Sequence, residues 1–390
     1  MKAAWAVENG LAEAVMKMSF GNEIGFTAIP GAVKDNWYNT MMFDFIVAEL
    51  DREIDCKYAT KIGVTTAEPV IVLDNESATI EELVRLNSAT LEGVYPTEKK
   101  AKSSDAPTFA YNEGCTVAPK VKVARPKVLI PVFPGTNCEY DSARAAERAG
   151  LEADVVVIRN LTPEDVAASV KTVAKKIAES QIIFIPGGFS GGDEPDGSAK
   201  FITAFFRTPE IKEEVRRLLD ERDGLMLGIC NGFQALIKLG LVPYGRIIDT
   251  DESCPTLAHN IIGRHQSKLV RTRVCTNKSP WLKGTEVGEI YTVPISHGEG
   301  RFLADEALAM KLAENGQIAT QYVDLDGNPS MDTAFNPNGS VFAIEGITSP
   351  DGRVLGKMGH SERVGDGLYK NVIGEYEMKL FESAYKYFNE

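Results

Sequence analysis

Gly228-Ile229-Cys230-Asn231-Gly232-Phe233-Gln234 sets a thiol between two glycines, where the apolar run GLMLGI gives way to the amphipathic run NGFQALIKLG. A nucleophile on so sharp a strand-to-helix turn crowds its neighbours, so the positions two before and two after it must lack a Cβ. Such a turn also sets the sulfur at the N-terminus of a helix. There the dipole and the unpaired N–H groups favour thiolate over a thiol of ordinary pKa, about 8.5. This arrangement suits covalent attack on a carbonyl, with the Asn231 N–H directed at the resulting oxyanion. A buried structural thiol accounts for Cys230 but not for both glycines. Cys138, in PGTNCEYD, also follows an apolar run but lacks the second glycine, and reads as loop or site lining. Cys56, Cys115, Cys254 and Cys275 read as core or surface thiols.

A cysteine nucleophile needs a base, and the base needs an orienting group. Of the four histidines, His259 and His265 have no carboxylate two residues on, whereas His297 has Glu299 and His360 has Glu362. Residues i and i+2 of an extended segment share a side, so either pair can form an imidazole–carboxylate couple. Spacing does not separate them. His360 follows VLGKM, an apolar strand of the type that lies in a central sheet. His297 is followed by Gly298, Glu299, Gly300 and Arg301, which suits a binding loop. The bland alternative for either is a hydrogen-bonded core or surface histidine.

A second glycine-rich turn, Gly187-Gly188-Phe189-Ser190-Gly191-Gly192, follows the apolar run QIIFIP. In an open α/β sheet its tip shares the C-terminal edge with Cys230, and one glycine N–H aimed at an oxyanion stabilises a transition state by about 2.7–4 kcal/mol. The stretch from Gly192 to Ser198 superficially resembles a phosphate loop, but it lacks the lysine and carries three acidic residues. Cys254, His259, His265 and Cys275 fit no compact zinc spacing, so no metal site is expected.

The elements that must hold these residues fall into three stretches. Residues 1–96 read as a small α+β unit, with Leu11, Val15 and Met18 at helical spacing, β-rich runs MMFDFIVAEL, KIGVTT and PVIVLD, and a helix from Thr79 toward Pro96. The first helix has no strand or cap before it, which suggests a cut through a larger domain. Residues 97–125, with TEKKAKSSDAPT, read as a linker. Residues 126–390 read as one domain. From 127 to 240 the pattern is strand, turn, helix, repeated, with apolar strands and Thr162-Pro163 and Thr208-Pro209 opening two helices. Residues 241–303 look β-rich, then ALAMKLAEN reads as a helix, QIATQYVD, VFAIEGITSP and VLGKM as strands, and EYEMKLFESAYKYF as a terminal helix. Apolar strands alternating with amphipathic helices predict a doubly wound, mostly parallel α/β sheet. The net charge of −13 argues against nucleic acid and anionic membranes as partners. No apolar run reaches the ~18 residues of a membrane span. Six scattered cysteines and no secretory leader point to a reducing, cytoplasmic setting.

GICNGFQ, PGGFSGGD, PGTNCEYD, SHGEGRF and HSERV together resemble the class I (triad) glutamine amidotransferases, a flavodoxin-like fold, and most nearly those of the phosphoribosylformylglycinamidine synthases. The likeness covers roughly residues 126–390. GLAEAVMKMSFGNEIGF through KYATKIGVTT resembles the tail of the ATP-using synthetase region of the same family. The resemblance implies Cys230 as nucleophile, with His360 and Glu362 as base and orienter from the family's His-Pro-Glu motif. Ser361 stands here where proline is usual. It further implies oxyanion N–H groups from Gly188 and Asn231, substrate contacts from Gln234, Gly187 and Phe189, and site lining by Asn137, His297 and Glu299. The reaction implied is hydrolysis of L-glutamine to glutamate and ammonia through a thioester. The ammonia would serve ATP-dependent conversion of formylglycinamide ribonucleotide to the amidine in purine biosynthesis. No cofactor is expected in this chain, ATP and Mg²⁺ belonging to the remaining synthetase domains, which are the expected partner. The competing classes are a cysteine hydrolase or peptidase built on the same turn, which Gln234 and the distal His-x-Glu disfavour, and a non-catalytic interaction module.

Overall fold

The computed structural model describes residues 1–34, 36–97, 99, 106–190, 199–370 and 372–389. Two compact units divide the chain, Met1–Thr97 and Glu98–Glu390.

In the first unit, strand β1 (Ala3–Ala6) precedes helix α1 (Leu11–Ser19), so the first helix does have a strand before it. β2 (Gly25–Ala28), β3 (Ile46–Glu49), β4 (Gly63–Thr66), β5 (Val70–Leu73) and β6 (Glu76–Thr79) follow. The strand expected across MMFDFIVAEL is confined to β3, which pairs antiparallel with β1. The other four form a sheet in the order β4-β2-β5-β6. Leu11, Ala14 and Val15 of α1 pack with Phe26, Trp37, Ile71 and Ile80 in a small core. Helix α2 (Ile80–Glu92) starts where Thr79 Oγ1 accepts the Glu82 N–H, and it buries only Ile80.

The second unit alternates β7 (Lys127–Val132), α3 (Glu139–Arg148), β8 (Glu152–Val157), α4 (Pro163–Glu179), β9 (Ile182–Ile185), α5 (Lys200–Phe206), α6 (Pro209–Asp220), β10 (Leu225–Ile229), α7 (Asn231–Leu239) and the short α8 (Leu241–Tyr244). Then come β11 (Thr256–His259), β12 (Gln266–Val274), β13 (Ile290–His297), β14 (Glu299–Leu303), α9 (Glu306–Glu314), β15 (Ile318–Val323), β16 (Ile344–Thr348), β17 (Val354–Lys357) and α10 (Leu380–Asn389). A nine-stranded sheet runs β13-β12-β15-β16-β17-β10-β9-β7-β8. Pairings from β17 to β8 are parallel, and those from β13 to β17 are antiparallel. The parallel half has the flavodoxin-like order, in which β9 returns to the far side of β7 and opens a crevice at the strands' carboxyl ends.

Every residue of β9 and β10 is buried, as expected of strands covered on both faces. The helix starts show how similar sequences are used differently. Thr162 Oγ1 caps α4 by accepting the Asp165 N–H, whereas Thr208 makes no cap bond and donates its hydroxyl to the Phe205 carbonyl. Residues 106–125, within the stretch expected to be a linker, lie along the second unit. Phe109 joins its core, and the Tyr111 N–H donates to the Cys275 carbonyl.

Candidate active site

Four turns at the carboxyl ends of parallel strands meet at one place: Asn137-Cys138 after β7, Gly187–Ser190 after β9, Cys230 after β10, and His360 after β17. Cys230 lies between β10 and α7 with φ 54° and is 2% exposed. The flanking glycines do what the spacing required. A Cβ on Gly228 would stand 2.6 Å from the carbonyl carbon of Gly232, and one on Gly232 would stand 1.9 Å from the Ile185 carbonyl oxygen. Only hydrogen fits at either position, so the turn can press α7 against β9. The Cys230 N–H donates to the Lys357 carbonyl at 2.9 Å, and its Sγ lies 3.8 Å from the Ser296 carbonyl.

The structure separates the two His-x-Glu pairs that spacing left equal. His360 Nδ1 lies 2.6 Å from Glu362 Oε1, and both side chains are buried. Burial alone would lower the His360 imidazole. The Glu362 charge, with bonds to the Cys138 and Cys230 sulfurs and to Glu362, instead holds it well above its ordinary value. Burial would raise the Glu362 carboxyl, yet the imidazole charge beside it keeps it lowered. Glu299 turns away from His297 and lies 3.4 Å from His259 Nε2. Among the described residues neither ring nitrogen of His297 has a hydrogen-bond partner. Burial, with the nearby charges of His360 and His265, pushes that ring down to about 3, so it is neutral.

The glycine turn after β9 closes the site. A Cβ on Gly187 would stand 2.6 Å from His360 Cε1, 3.0 Å from Cys138 Sγ and 3.4 Å from Cys230 Cβ, which puts this backbone against all three side chains. Gly188, with φ 143°, forms a bridge to Thr136, and a Cβ there would meet Thr136 Cα at 2.7 Å. Phe189 sets its ring 5.9 Å from that of His265, and the Ser190 N–H donates to Asn231 Oδ1 at 3.2 Å. Gln234 has both ends of its amide engaged. Oε1 accepts from Asn231 Nδ2 at 2.8 Å, and Nε2 donates to the Glu299 carbonyl at 2.6 Å. The two glycines beyond Ser190, and the rejected phosphate-loop stretch 192–198, lie outside the described residues.

Cys138 comes closer to the chemistry than its motif indicated. Its sulfur is 3.9 Å from His360 Nδ1, donates to Asn137 Oδ1 at 3.1 Å, and accepts from Arg363 Nη2 at 3.0 Å. The Arg363 contact was not anticipated. Its only signal in the sequence is a cation directly after the His-x-Glu pair. Cys138, His360 and Glu362 are the group among the described residues whose ligand atoms converge within 4.8 Å. The 2.6 Å Nδ1–Oε1 approach is a hydrogen bond, tighter than two ligands about 2.0 Å from a tetrahedral ion would stand.

Residues 125–388 match the CobB/CobQ-like glutamine amidotransferase domain family. A phosphoribosylformylglycinamidine synthase subunit PurQ of Methanococcus maripaludis strain C7 is 33% identical over 286 residues, 68% of this chain and 98% of the relative. The subunit of the same name from Gloeobacter violaceus is 35% identical over 257 residues, 66% of this chain and 96% of the relative. A solved structure of PurLQS from Thermotoga maritima aligns with TM-score 0.48 and 28% identity, covering 67% of this chain and 99% of that one. The chain belongs to the CobB/CobQ-like glutamine amidotransferase family.

Proposed function

We propose that this chain hydrolyses L-glutamine to glutamate and ammonia through a Cys230 thioester, as the glutaminase part of a phosphoribosylformylglycinamidine synthase. The observation that carries this is the buried run Cys230–His360–Glu362 at the carboxyl ends of parallel strands, in a member of a glutamine amidotransferase family. His360, held above its ordinary value beside Glu362, takes the thiol proton of Cys230 as the sulfur attacks, and the N-terminus of α7 adds its dipole. The thiolate attacks the side-chain amide carbon of glutamine. N–H groups of Gly188 and Asn231 receive the oxyanion. His360 donates its proton to the amide nitrogen, and the C–N bond breaks to release ammonia, leaving the γ-glutamyl thioester. His360 then takes a proton from water, whose oxygen attacks the thioester, and glutamate leaves as the thiolate is restored. Glu362 holds the imidazole tautomer and stabilises its cation.

The ammonia would be used with ATP and Mg²⁺ by synthetase domains that turn formylglycinamide ribonucleotide into its amidine, in the cytoplasm. Residues 1–96 are read as a C-terminal piece of that synthetase region, 97–125 as a connection and 126–390 as the glutaminase domain. The end of the first compact unit at Thr97 supports the first boundary and the start of the family match at 125 the second, while residues 106–125 of the connection pack on the second unit.

A diazoketone analogue of glutamine tests the reading. It is expected to label the wild-type chain on Cys230 and to leave Cys230→Ala unlabelled; unchanged labelling of that variant refutes the nucleophile. His360→Ala is expected to lose labelling and His297→Ala to keep it. The reverse pattern would transfer the base role to His297.

A further inference from the structure

A buried ion pair lies directly behind the base. Lys357 and Glu345 are each 1% exposed, with Nζ and Oε1 3.4 Å apart. An ammonium has three protons to place. Lys357 Nζ directs them at Glu345, at the Gly359 carbonyl at 2.9 Å and at Ser361 Oγ at 3.0 Å. The Glu345 carboxylate accepts the Gly359 N–H at 2.5 Å through Oε1 and the Thr320 hydroxyl through Oε2. The pair therefore grips both backbone groups of the residue before His360 and the hydroxyl of the residue after it. The Lys357 carbonyl, in turn, receives the Cys230 N–H. A side chain at 359 would press on the pair, since a Cβ there would stand 3.1 Å from Glu345 Oε1 and 3.2 Å from Lys357 Nζ. A proline at 361 would offer no oxygen to the third proton.

Burying two charges gains little net stability over an apolar pair of the same shape. What such a pair does supply is direction, because each of its hydrogen bonds fixes one atom. We propose that Lys357, Glu345 and Ser361 are positioning residues for the base, holding the Gly359–Ser361 segment so that His360 faces Cys230 and Glu362 at once. The proposal rests on the reading of His360 as base. Lys357 couples the two halves of the site, with its main chain on the nucleophile and its side chain on the base segment.

The test uses the full chain, a chloroketone analogue of glutamine and the pH profile of Cys230 labelling. The variants are Ser361→Ala, Ser361→Thr, and Lys357→Met with Glu345→Gln together, so that neither charge is left alone. Misplacing a catalytic group by about 1 Å costs roughly 100-fold. The double variant is therefore expected to lose about 10- to 100-fold in maximal labelling rate, with half-saturation changed less than about twofold. The acid limb of its profile is expected to move by at least about half a pH unit. Ser361→Ala is expected to shift the same limb by less, and Ser361→Thr to restore it. A merely structural loss would lower melting temperature and leave the limb in place, which overturns the proposal. So does wild-type rate and profile in folded Ser361→Ala, a variant that decides the matter even if the double variant does not fold. His360→Ala separates the underlying reading: if it keeps the wild-type profile, the base assignment fails, whereas if it loses the limb and the positioning variants keep theirs, only the positioning role fails.

Discussion

At the scale of single residues, the site is a charge arrangement that works against burial. An isolated buried imidazole would lose its proton, and the Glu362 carboxylate reverses that for His360. Glu362→Gln keeps the shape and removes the charge. The imidazolium that forms as His360 takes a proton then loses its largest support. The expected result is a fall of about 10³- to 10⁴-fold in the maximal rate of glutamine hydrolysis, with little change in KM. Steady-state ammonia release measures it, and a loss confined to KM would argue that Glu362 binds substrate instead. Cys230 was legible in the sequence because its glycines carry a steric reason that needs no partner. His360 was not separable from His297 by spacing. The i, i+2 rule permits both couples, and only the fold shows that Glu299 is drawn to His259 while Glu362 stays with its own histidine. Arg363 on Cys138 was invisible for a related reason, since the two come from turns after different strands.

Elements set these residues with little slack. β9, β10 and β17 lie side by side, with Gly228 opposite Ile185 on one flank and Gly356 on the other. The helix after Cys230 packs close enough that Gly232 meets the β9 backbone. Gly232→Ala is therefore expected to push α7 off β9, destabilising the unit by about 1–3 kcal/mol and abolishing Cys230 labelling. Gly365→Ala, with nothing within 4 Å of its would-be Cβ, is expected to change stability by less than about 0.5 kcal/mol. Urea unfolding and labelling of the two variants check this, and equal midpoints would mean the elbow has room that its geometry denies. The alternation of strand and helix from 127 to 240 was readable because buried parallel strands are unbroken apolar runs. In the antiparallel half, β15, β16 and β17 were legible as the strands QIATQYVD, VFAIEGITSP and VLGKM, whereas β12 and β13 lay in a stretch read only as β-rich, since strand pairing depends on which distant segment supplies the partner. β1 was missed because AAWA offers no alternation, and its partner, β3, lies about forty residues away.

For the whole molecule, the buried histidines make stability depend on pH in opposite senses, and His297 offers the cleaner reading. Its ring is held down to about 3 inside the fold, against 6.5 when unfolded. Below pH 6.5 the unfolded chain takes up a proton that the native chain refuses, so stability falls as pH falls, by about 1.4 kcal/mol per unit until the native ring titrates. Above pH 6.5 the ring is neutral in both states and contributes nothing to the slope. His360 runs the other way. Its raised value gives stability that is fully present below 6.5 and lost as pH rises through the native value. Glu362, held low, gives stability present above 4.5 and lost as pH falls through its native value. A comparison of wild type with His297→Asn cancels the last two contributions, which are common to both chains. Between pH 7.5 and 5.5 the wild type is expected to lose about 1.4 kcal/mol more than the variant. Because the chain has two compact units, a single global transition would mix them. Hydrogen exchange in peptides of β13 and β14 across a urea series localises the change to the unit that holds the ring. Parallel pH dependence in the two chains would show that His297 takes up its proton within the fold, and that the site has a second charged imidazole beside its base.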